Sequence, residues 1–131
     1  ILGAQLPIRT TGRVDSKDEL TVIGYPSGLP GKLAHGGMIR ENDNDIYMVT
    51  TLDTYGGNSG SAVFSRSSRL IEGILVRGDT DFVYDPESQC RRSNVCQDTG
   101  CRGEDVVRIS QVLKHLTPAD LQPSTRSLTE F

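Results

Sequence analysis

The segment Gly56–Ser61 (GGNSGS) places Ser59 among glycines. Glycine accepts positive φ, so such a segment turns tightly, exposes the serine hydroxyl and lets backbone N–H groups converge on one point. An exposed hydroxyl beside convergent N–H donors is the arrangement of a serine nucleophile with an oxyanion-binding site. Taken alone, the same composition is more typical of an ordinary glycine–serine loop.

Two other glycine-rich motifs are excluded for this segment. No Gly-Lys-Ser/Thr follows, so it is not a phosphate-binding loop. Ser61 replaces the last glycine of the hydrolase elbow G-x-S-x-G, and a strand-like run follows instead of a helix.

Short apolar runs separated by turn residues predict the strands and the helix around the Gly56–Ser61 segment. Ser110–Leu116 is the one helical pattern, with Ser110 as its cap. The polar stretch 79–104 has no periodicity and is predicted to be a large loop. The regular spacing of the short apolar runs predicts an all-β fold, a small antiparallel barrel or sandwich. The predicted strands are Leu20–Tyr25, Lys32–Arg40, Ile46–Leu52, Ser61–Phe64, Leu70–Val76 and Asp105–Ile109.

Composition narrows the class of protein. The 131 residues are 35% hydrophobic and 24% charged, which is typical of one globular domain and excludes a disordered chain or a coiled coil. No apolar run reaches the ~20 residues of a membrane-spanning helix. The net charge of −3 argues against a nucleic-acid partner. The chain starts at Ile1, from which we expect a processed or excised piece.

The sequence resembles the trypsin-like, chymotrypsin-fold serine peptidases, especially their bacterial glutamyl-endopeptidase branch. Gly57–Ser61 (GNSGS) is similar to the nucleophile loop of that branch. Val22–Pro26 resembles the strand entering the second barrel, Glu72–Gly78 the strand along the substrate groove, and Asp105–Ser110 the closing strand before the C-terminal helix. The resemblance spans about residues 6–116 in the family's order. It implies the second, six-stranded antiparallel barrel of a double barrel, over residues 1–117, with a C-terminal tail at 118–131.

The resemblance implies a serine endopeptidase that acts through an acyl-enzyme. Ser59 would be the nucleophile, and the N–H groups of Gly57 and Ser59 would hold the oxyanion. The family's His and Asp come before the serine by more residues than this chain provides, so both would lie in a missing N-terminal barrel. Neither His35 nor His115 falls at a catalytic position of the family. The alternatives are a catalytically inactive protease-like barrel that binds proteins, and a self-standing half-barrel interaction module.

The resemblance leaves the substrate preference open. Asp53, six residues before the serine, would lie at the base of the primary specificity pocket and favour Lys or Arg, unless it is purely structural. Arg77 on the groove strand would instead neutralise Asp53 or select acidic side chains. The branch's histidine on this strand is Leu75 here, so its acidic preference does not carry over. The implied substrate-binding residues are Asp53, Thr54, Val76, Arg77 and Gly78.

Three cysteines, Cys90, Cys96 and Cys101, fall in the predicted long loop. Their C-x5-C-x4-C spacing, with no C-x-x-C pair and no nearby histidine, argues against a zinc site, and we expect no metal or cofactor. A disulfide in this loop fits the family and a secreted or periplasmic protein. The odd number leaves one thiol free or bonded to the missing half, and the pairing stays open. The expected partners are a peptide or protein substrate and the N-terminal barrel.

Overall fold

Six strands pair edge to edge into a closed barrel. The computed structural model describes residues 6–121. The barrel strands are β1 (Glu19–Gly24), β2 (Lys32–Glu41), β3 (Tyr47–Thr50), β4 (Ala62–Ser65), β5 (Ile71–Arg77) and β8 (Glu104–Arg108). They pair antiparallel in the closed order β1-β2-β3-β8-β5-β4. The predicted all-β, six-stranded antiparallel barrel is confirmed.

The remaining elements lie outside the barrel wall. A two-stranded antiparallel sheet joins β6 (Phe82–Asp85) to β7 (Cys90–Ser93). A 3₁₀ turn at Pro26–Gly28 connects β1 to β2, and the short helix α1 (Ile109–Leu113) follows β8. Within residues 6–121, the helices are too short or too polar to cross a bilayer.

The interior of the barrel is aliphatic and is supplied by every barrel strand. Leu20 and Val22 of β1 are buried, whereas Ile23 between Val22 and the strand end is 52% exposed. Burying one such aliphatic side chain contributes about 1.5–3 kcal/mol. The core cluster consists of Val14, Leu20, Val22, Ile39, Met48, Leu52, Val63, Leu75 and Val106.

The segment before β1 is fastened to β5 by a bidentate ion pair. Arg9 donates from Nε and Nη2 to the two carboxylate oxygens of Glu72, at 2.6 and 2.9 Å. Ile8 forms a parallel bridge with Ile71 next to this pair. Glu72 is buried, so the guanidinium supplies the partner that a buried carboxylate requires.

Two local predictions were wrong. The stretch 79–104 is not an unstructured loop, because it contains the β6–β7 hairpin. Its signal was present in Phe82–Tyr84, three residues that favour strands, followed by the turn pair Asp85-Pro86. Ser110 does not cap the helix: α1 begins at Ile109, Arg108 is its N-cap, and no side chain hydrogen-bonds there.

The expected division at residue 117 stays a prediction. The last helix ends at Leu113, and Thr117 to Asp120 form a turn in which Asp120 Oδ2 accepts from the Thr117 N–H at 2.7 Å. Most of the expected tail, residues 122–131, lies outside the described residues, as do residues 1–5.

The buried and exposed leucines of the β1–β2 hairpin give a matched test of the core. Leu20 is 0% exposed and Leu33 is 59% exposed. We expect Leu20→Ala to lower the free energy of unfolding by about 2–5 kcal/mol, because it leaves a cavity. Leu33→Ala should change it by less than about 0.5 kcal/mol. Urea unfolding followed by circular dichroism measures both, and equal losses would contradict the assignment of the core.

Candidate active site

Ser59 lies where the β4–β5 ladder ends. The Gly60 N–H donates to the Leu75 carbonyl at 2.8 Å, and the Leu75 N–H donates to the Ser61 carbonyl at 2.9 Å, so the ladder continues into the turn. These bonds place Ser59 beside Val76, and the exposed Ser59 hydroxyl donates to the Val76 carbonyl at 3.0 Å. The structure therefore brings together two residues that the sequence placed at one site.

The Gly56–Gly57 and Asn58–Ser59 peptide groups are each held by their carbonyl. The Gly56 carbonyl accepts from the Ser27 N–H at 2.6 Å, and the Asn58 carbonyl accepts from the Ser61 N–H at 3.0 Å. In a trans peptide the N–H points away from the carbonyl, so the amides of Gly57 and Ser59 point away from these partners. Neither amide donates a hydrogen bond to any residue within 6–121. Both N–H groups are thus without a hydrogen-bond acceptor among the described residues.

The turn rests against the end of β1 through glycines. A Cβ on Gly24 would lie 2.3 Å from Asn58 Oδ1, and a Cβ on Gly57 would lie 2.8 Å from the Tyr25 carbonyl. Gly57 also has a φ of +98°. Only glycine permits this close approach, which buries the Asn58 side chain below the turn.

A cleft with a cavity volume of 320 Å³ opens beside the turn, and its floor is acidic. Asp53 and Thr54, both predicted from the sequence, line it. The Asp53 carboxylate makes no hydrogen bond or ion pair within the described part of the chain. The ionisable residues of the lining are Asp53, Asp79, Asp81, Asp98, Glu104 and Arg40.

Glu104 is the cleft residue that sequence reasoning missed. Glu104 is the cross-strand partner of Thr50 in the β3–β8 pairing, four residues before Thr54. The Thr54 hydroxyl donates to Glu104 Oε2 at 2.8 Å. Gly78, which the sequence analysis placed at the substrate site, packs directly against this carboxylate: a Cβ on Gly78 would lie 1.9 Å from Glu104 Oε1. Burial raises the pKa of Glu104 above its ordinary 4.5, and the nearby charge of Asp81 adds to the rise.

Arg77 does not neutralise Asp53, contrary to one alternative considered for it. Its Nε donates to Asp105 Oδ2 at 2.7 Å, and Arg102 pairs with the same carboxylate. Burial opposes ionisation of Asp105, but the two guanidinium groups outweigh it and lower its pKa. Neither Arg77 nor Val76 lines the acidic cleft.

The histidines and cysteines lie apart from Ser59. Neither His35, beside Glu19, nor His115 hydrogen-bonds to the Ser59 hydroxyl within the described range. Cys96 and Cys101 form a disulfide in the cleft wall, and Cys90 on β7 is a free, exposed thiol. This settles the pairing that the sequence left open. Residues 6–121 contain no group of acidic, His and Cys side chains able to hold a metal ion.

A chymotrypsin-like barrel with an exposed serine in a glycine turn is the framework of a serine peptidase. The trypsin-like peptidase domain family matches residues 3–71, just over half of the chain, and the chain belongs to this family. The matched span includes Asp53 and Ser59 and ends before Val76. The comparison with individual curated proteins gave no significant match.

Two glycines of the turn test its backbone requirement. Gly57 and Gly60 both have positive φ, but only a Cβ on Gly57 would meet other atoms within 4 Å. Both Gly→Ala variants force alanine into the left-handed region, at about 1–2 kcal/mol each. We expect Gly57→Ala to lose about 1–3 kcal/mol more than Gly60→Ala in urea unfolding, because it also clashes. Equal losses would mean that the turn does not pack against β1 as described.

Proposed function

We propose that the chain is the C-terminal barrel of a serine endopeptidase in which Ser59 is the nucleophile. The observation that carries the proposal is the pair of unoccupied amides, Gly57 and Ser59, next to an exposed hydroxyl on an anchored turn. These amides would form the oxyanion hole. Each such donor is worth about 2.7–4 kcal/mol in the transition state.

The reaction would be acyl transfer with a base from outside this chain. A histidine of the N-terminal barrel, oriented by an aspartate there, would take the Ser59 proton as Oγ attacks the scissile carbonyl. The tetrahedral oxyanion would accept from the Gly57 and Ser59 N–H groups. The histidine would then pass its proton to the leaving amine, and water would release the acyl group by the same steps. Until that base arrives, the Ser59 hydroxyl is occupied by the Val76 carbonyl and is a weak nucleophile.

The surface on which the N-terminal barrel would dock is the β1–β2 hairpin. Ile23 and Leu33 are cross-strand partners, and they are 52% and 59% exposed. Tyr25 and Leu29 at the hairpin end are also more than half exposed. The same hairpin end carries Ser27, which holds the Gly56 carbonyl. A barrel covering this apolar surface would therefore lie next to the nucleophile turn, where its histidine is needed.

We further propose that the substrate presents a cationic side chain, Lys or Arg, to the acidic cleft. Five carboxylates and one guanidinium line the cleft, and that guanidinium, on Arg40, already donates to the Cys101 carbonyl at 2.7 Å. Asp53 and Glu104 have no cationic partner among residues 6–121. Carboxylates without a cationic partner that line one cleft favour a cation there. Arg77, the residue that would favour acidic substrates, is bound to Asp105.

The branch of the family and the compartment of the enzyme are proposed from the sequence and from the disulfide. Gly57–Ser61 (GNSGS) supports membership of the glutamyl-endopeptidase branch, without its acidic preference because Leu75 replaces the branch's histidine. The Cys96–Cys101 disulfide fits an oxidising compartment, so we propose a secreted or periplasmic enzyme. No cofactor is required by the proposed reaction.

A fluorophosphonate probe tests the nucleophile. We expect the longest translation product that contains this chain to gain one adduct, on Ser59, in intact-mass and peptide spectra, and the 131-residue chain alone to gain none. Activation by the added histidine is the reason for the difference. Ser59→Ala should abolish the adduct, and Ser61→Ala, the matched serine control two residues away, should keep it.

Absence of an adduct on the longer product would contradict the enzyme proposal and leave a protease-like barrel that binds proteins. An adduct on Ser61 or on another serine would contradict the assignment of Ser59.

Benzamidine, a flat cation, tests the cleft. We expect it to bind the chain and to shift the Asp53 and Thr54 amides in ¹H–¹⁵N spectra. Glu104→Gln should weaken binding about tenfold, equivalent to about 1.4 kcal/mol. Because the pKa of Glu104 is raised, ionisation of this carboxylate continues above pH 4.5, and the affinity should still rise with pH there. Glu104→Gln should flatten this part of the pH profile.

Glu87→Gln supplies the control, since it removes the same charge from the exposed β6–β7 turn outside the cleft. Equal effects of the two Glu→Gln changes, or stronger binding of glutarate than of benzamidine, would overturn the cationic preference.

A further inference from the structure

The carboxylate of Asp81 is bound to the backbone of the nucleophile turn. Asp81 directly precedes β6, and its Oδ2 accepts from the Gly56 N–H at 2.7 Å. A Cβ on Gly56 would lie 3.2 Å from the same oxygen, so the carboxylate packs directly over this residue. A donor–acceptor distance of 2.7 Å is typical of a charge-assisted hydrogen bond.

Gly56 is consequently held on both sides. Asp81 binds its N–H, and the Ser27 N–H binds its carbonyl at 2.6 Å. That carbonyl belongs to the same peptide group as the Gly57 N–H. Gly56 and Gly57 both lack a side chain, and their backbone dihedrals are the least restricted of any residue type. Hydrogen bonds, rather than side-chain packing, therefore have to fix the direction of the Gly57 N–H.

The backbone on either side of Asp81 is itself held by hydrogen bonds. The Asn94 N–H donates to the Asp81 carbonyl at 2.8 Å, and Asn94 Nδ2 donates to the Thr80 carbonyl at 2.9 Å. The Phe82 ring packs against the Tyr55 ring with centroids 5.5 Å apart. The β6–β7 hairpin is thus anchored next to both ends of the Asp81–Gly56 hydrogen bond: Asn94 binds the backbone at Asp81, and Phe82 packs on Tyr55, which precedes Gly56.

We propose that Asp81 is a positioning residue: by holding the Gly56 N–H it fixes the Tyr55–Gly56 peptide group, and this limits the rotation about Gly56 that directs the next N–H, that of Gly57. The inference deepens the proposed function, since the Gly57 N–H matters for catalysis only if Ser59 is the nucleophile. Asp81 also lines the acidic cleft, so the test has to separate its role as a hydrogen-bond acceptor from its negative charge.

Four variants make that separation. Asp81→Ala and Asp81→Asn remove the same charge, but only alanine removes the acceptor for the Gly56 N–H. Asp98→Ala and Asp98→Asn remove one charge from the same cleft lining at a residue with no hydrogen bond to the nucleophile turn. Spectra that coincide with wild type away from the turn establish that each variant folds.

Amide hydrogen exchange in the 131-residue chain reads the positioning directly and needs no activity. We expect Asp81→Ala to speed exchange of the Gly56 N–H about tenfold or more and to shift the Gly57 amide resonance. Asp81→Asn should have a smaller effect, and the Asp98 variants none. Unchanged Gly56 and Gly57 amides in Asp81→Ala would overturn the proposal, whether or not the protein is an enzyme.

Hydrolysis of p-nitrophenyl acetate by the longer translation product reads the catalytic consequence. This ester puts no side chain in the acidic cleft, so cleft charge has little influence on it. We expect kcat to fall about tenfold in Asp81→Ala and less in Asp81→Asn, with KM unchanged. Equal losses in the two variants would overturn the proposal and assign the effect to charge. A wild type without esterase activity would instead contradict the proposed function, and the exchange result would still decide the role of Asp81.

Discussion

The hydrogen bond from the Ser27 N–H to the Gly56 carbonyl joins the two segments on which the site depends. One is the turn at the end of β1, and the other is the glycine turn that carries Ser59. Closure of the barrel brings them together, because β1 pairs with β4 through Val22 and Val63 and β4 follows directly after the glycine turn. A chain rich in glycine has no preferred direction of its own here, so the barrel has to impose one.

The electrostatics of the cleft follow from where the arginines are used. Two of them, Arg77 and Arg102, pair with Oδ2 of the buried Asp105 carboxylate, and neither lines the cleft. Glu104 is left half-buried with a hydroxyl partner and no guanidinium, and its pKa is raised as a result. Structural ion pairs and an unneutralised acidic cleft thus arise on neighbouring residues of one strand, β8.

Local signals in the sequence were sufficient for the barrel strands and for the glycine turn, whereas the choice of a barrel over a sandwich came from the resemblance to the family. Alternation of apolar residues, as at Leu20 and Val22, marks a strand with one buried face, and the spacing of such runs marks successive strands. The glycines around Ser59 likewise indicate, from the residue types alone, that the backbone turns tightly there. The β6–β7 hairpin was missed because its strands have no buried face to create alternation.

The sequence by itself therefore determined the all-β class, the positions of the six barrel strands and the turn that presents Ser59, since each depends on neighbours within a few residues. The tertiary structure alone decided that Glu104 meets Thr54, that Arg77 binds Asp105 rather than Asp53, and that Asp81 binds the glycine turn at Gly56. These contacts join residues that are 50, 28 and 25 positions apart in the sequence. The pairing register of β3, β5 and β8 fixes the contacts of Glu104 and Arg77, and register is a property of the closed sheet rather than of any one strand.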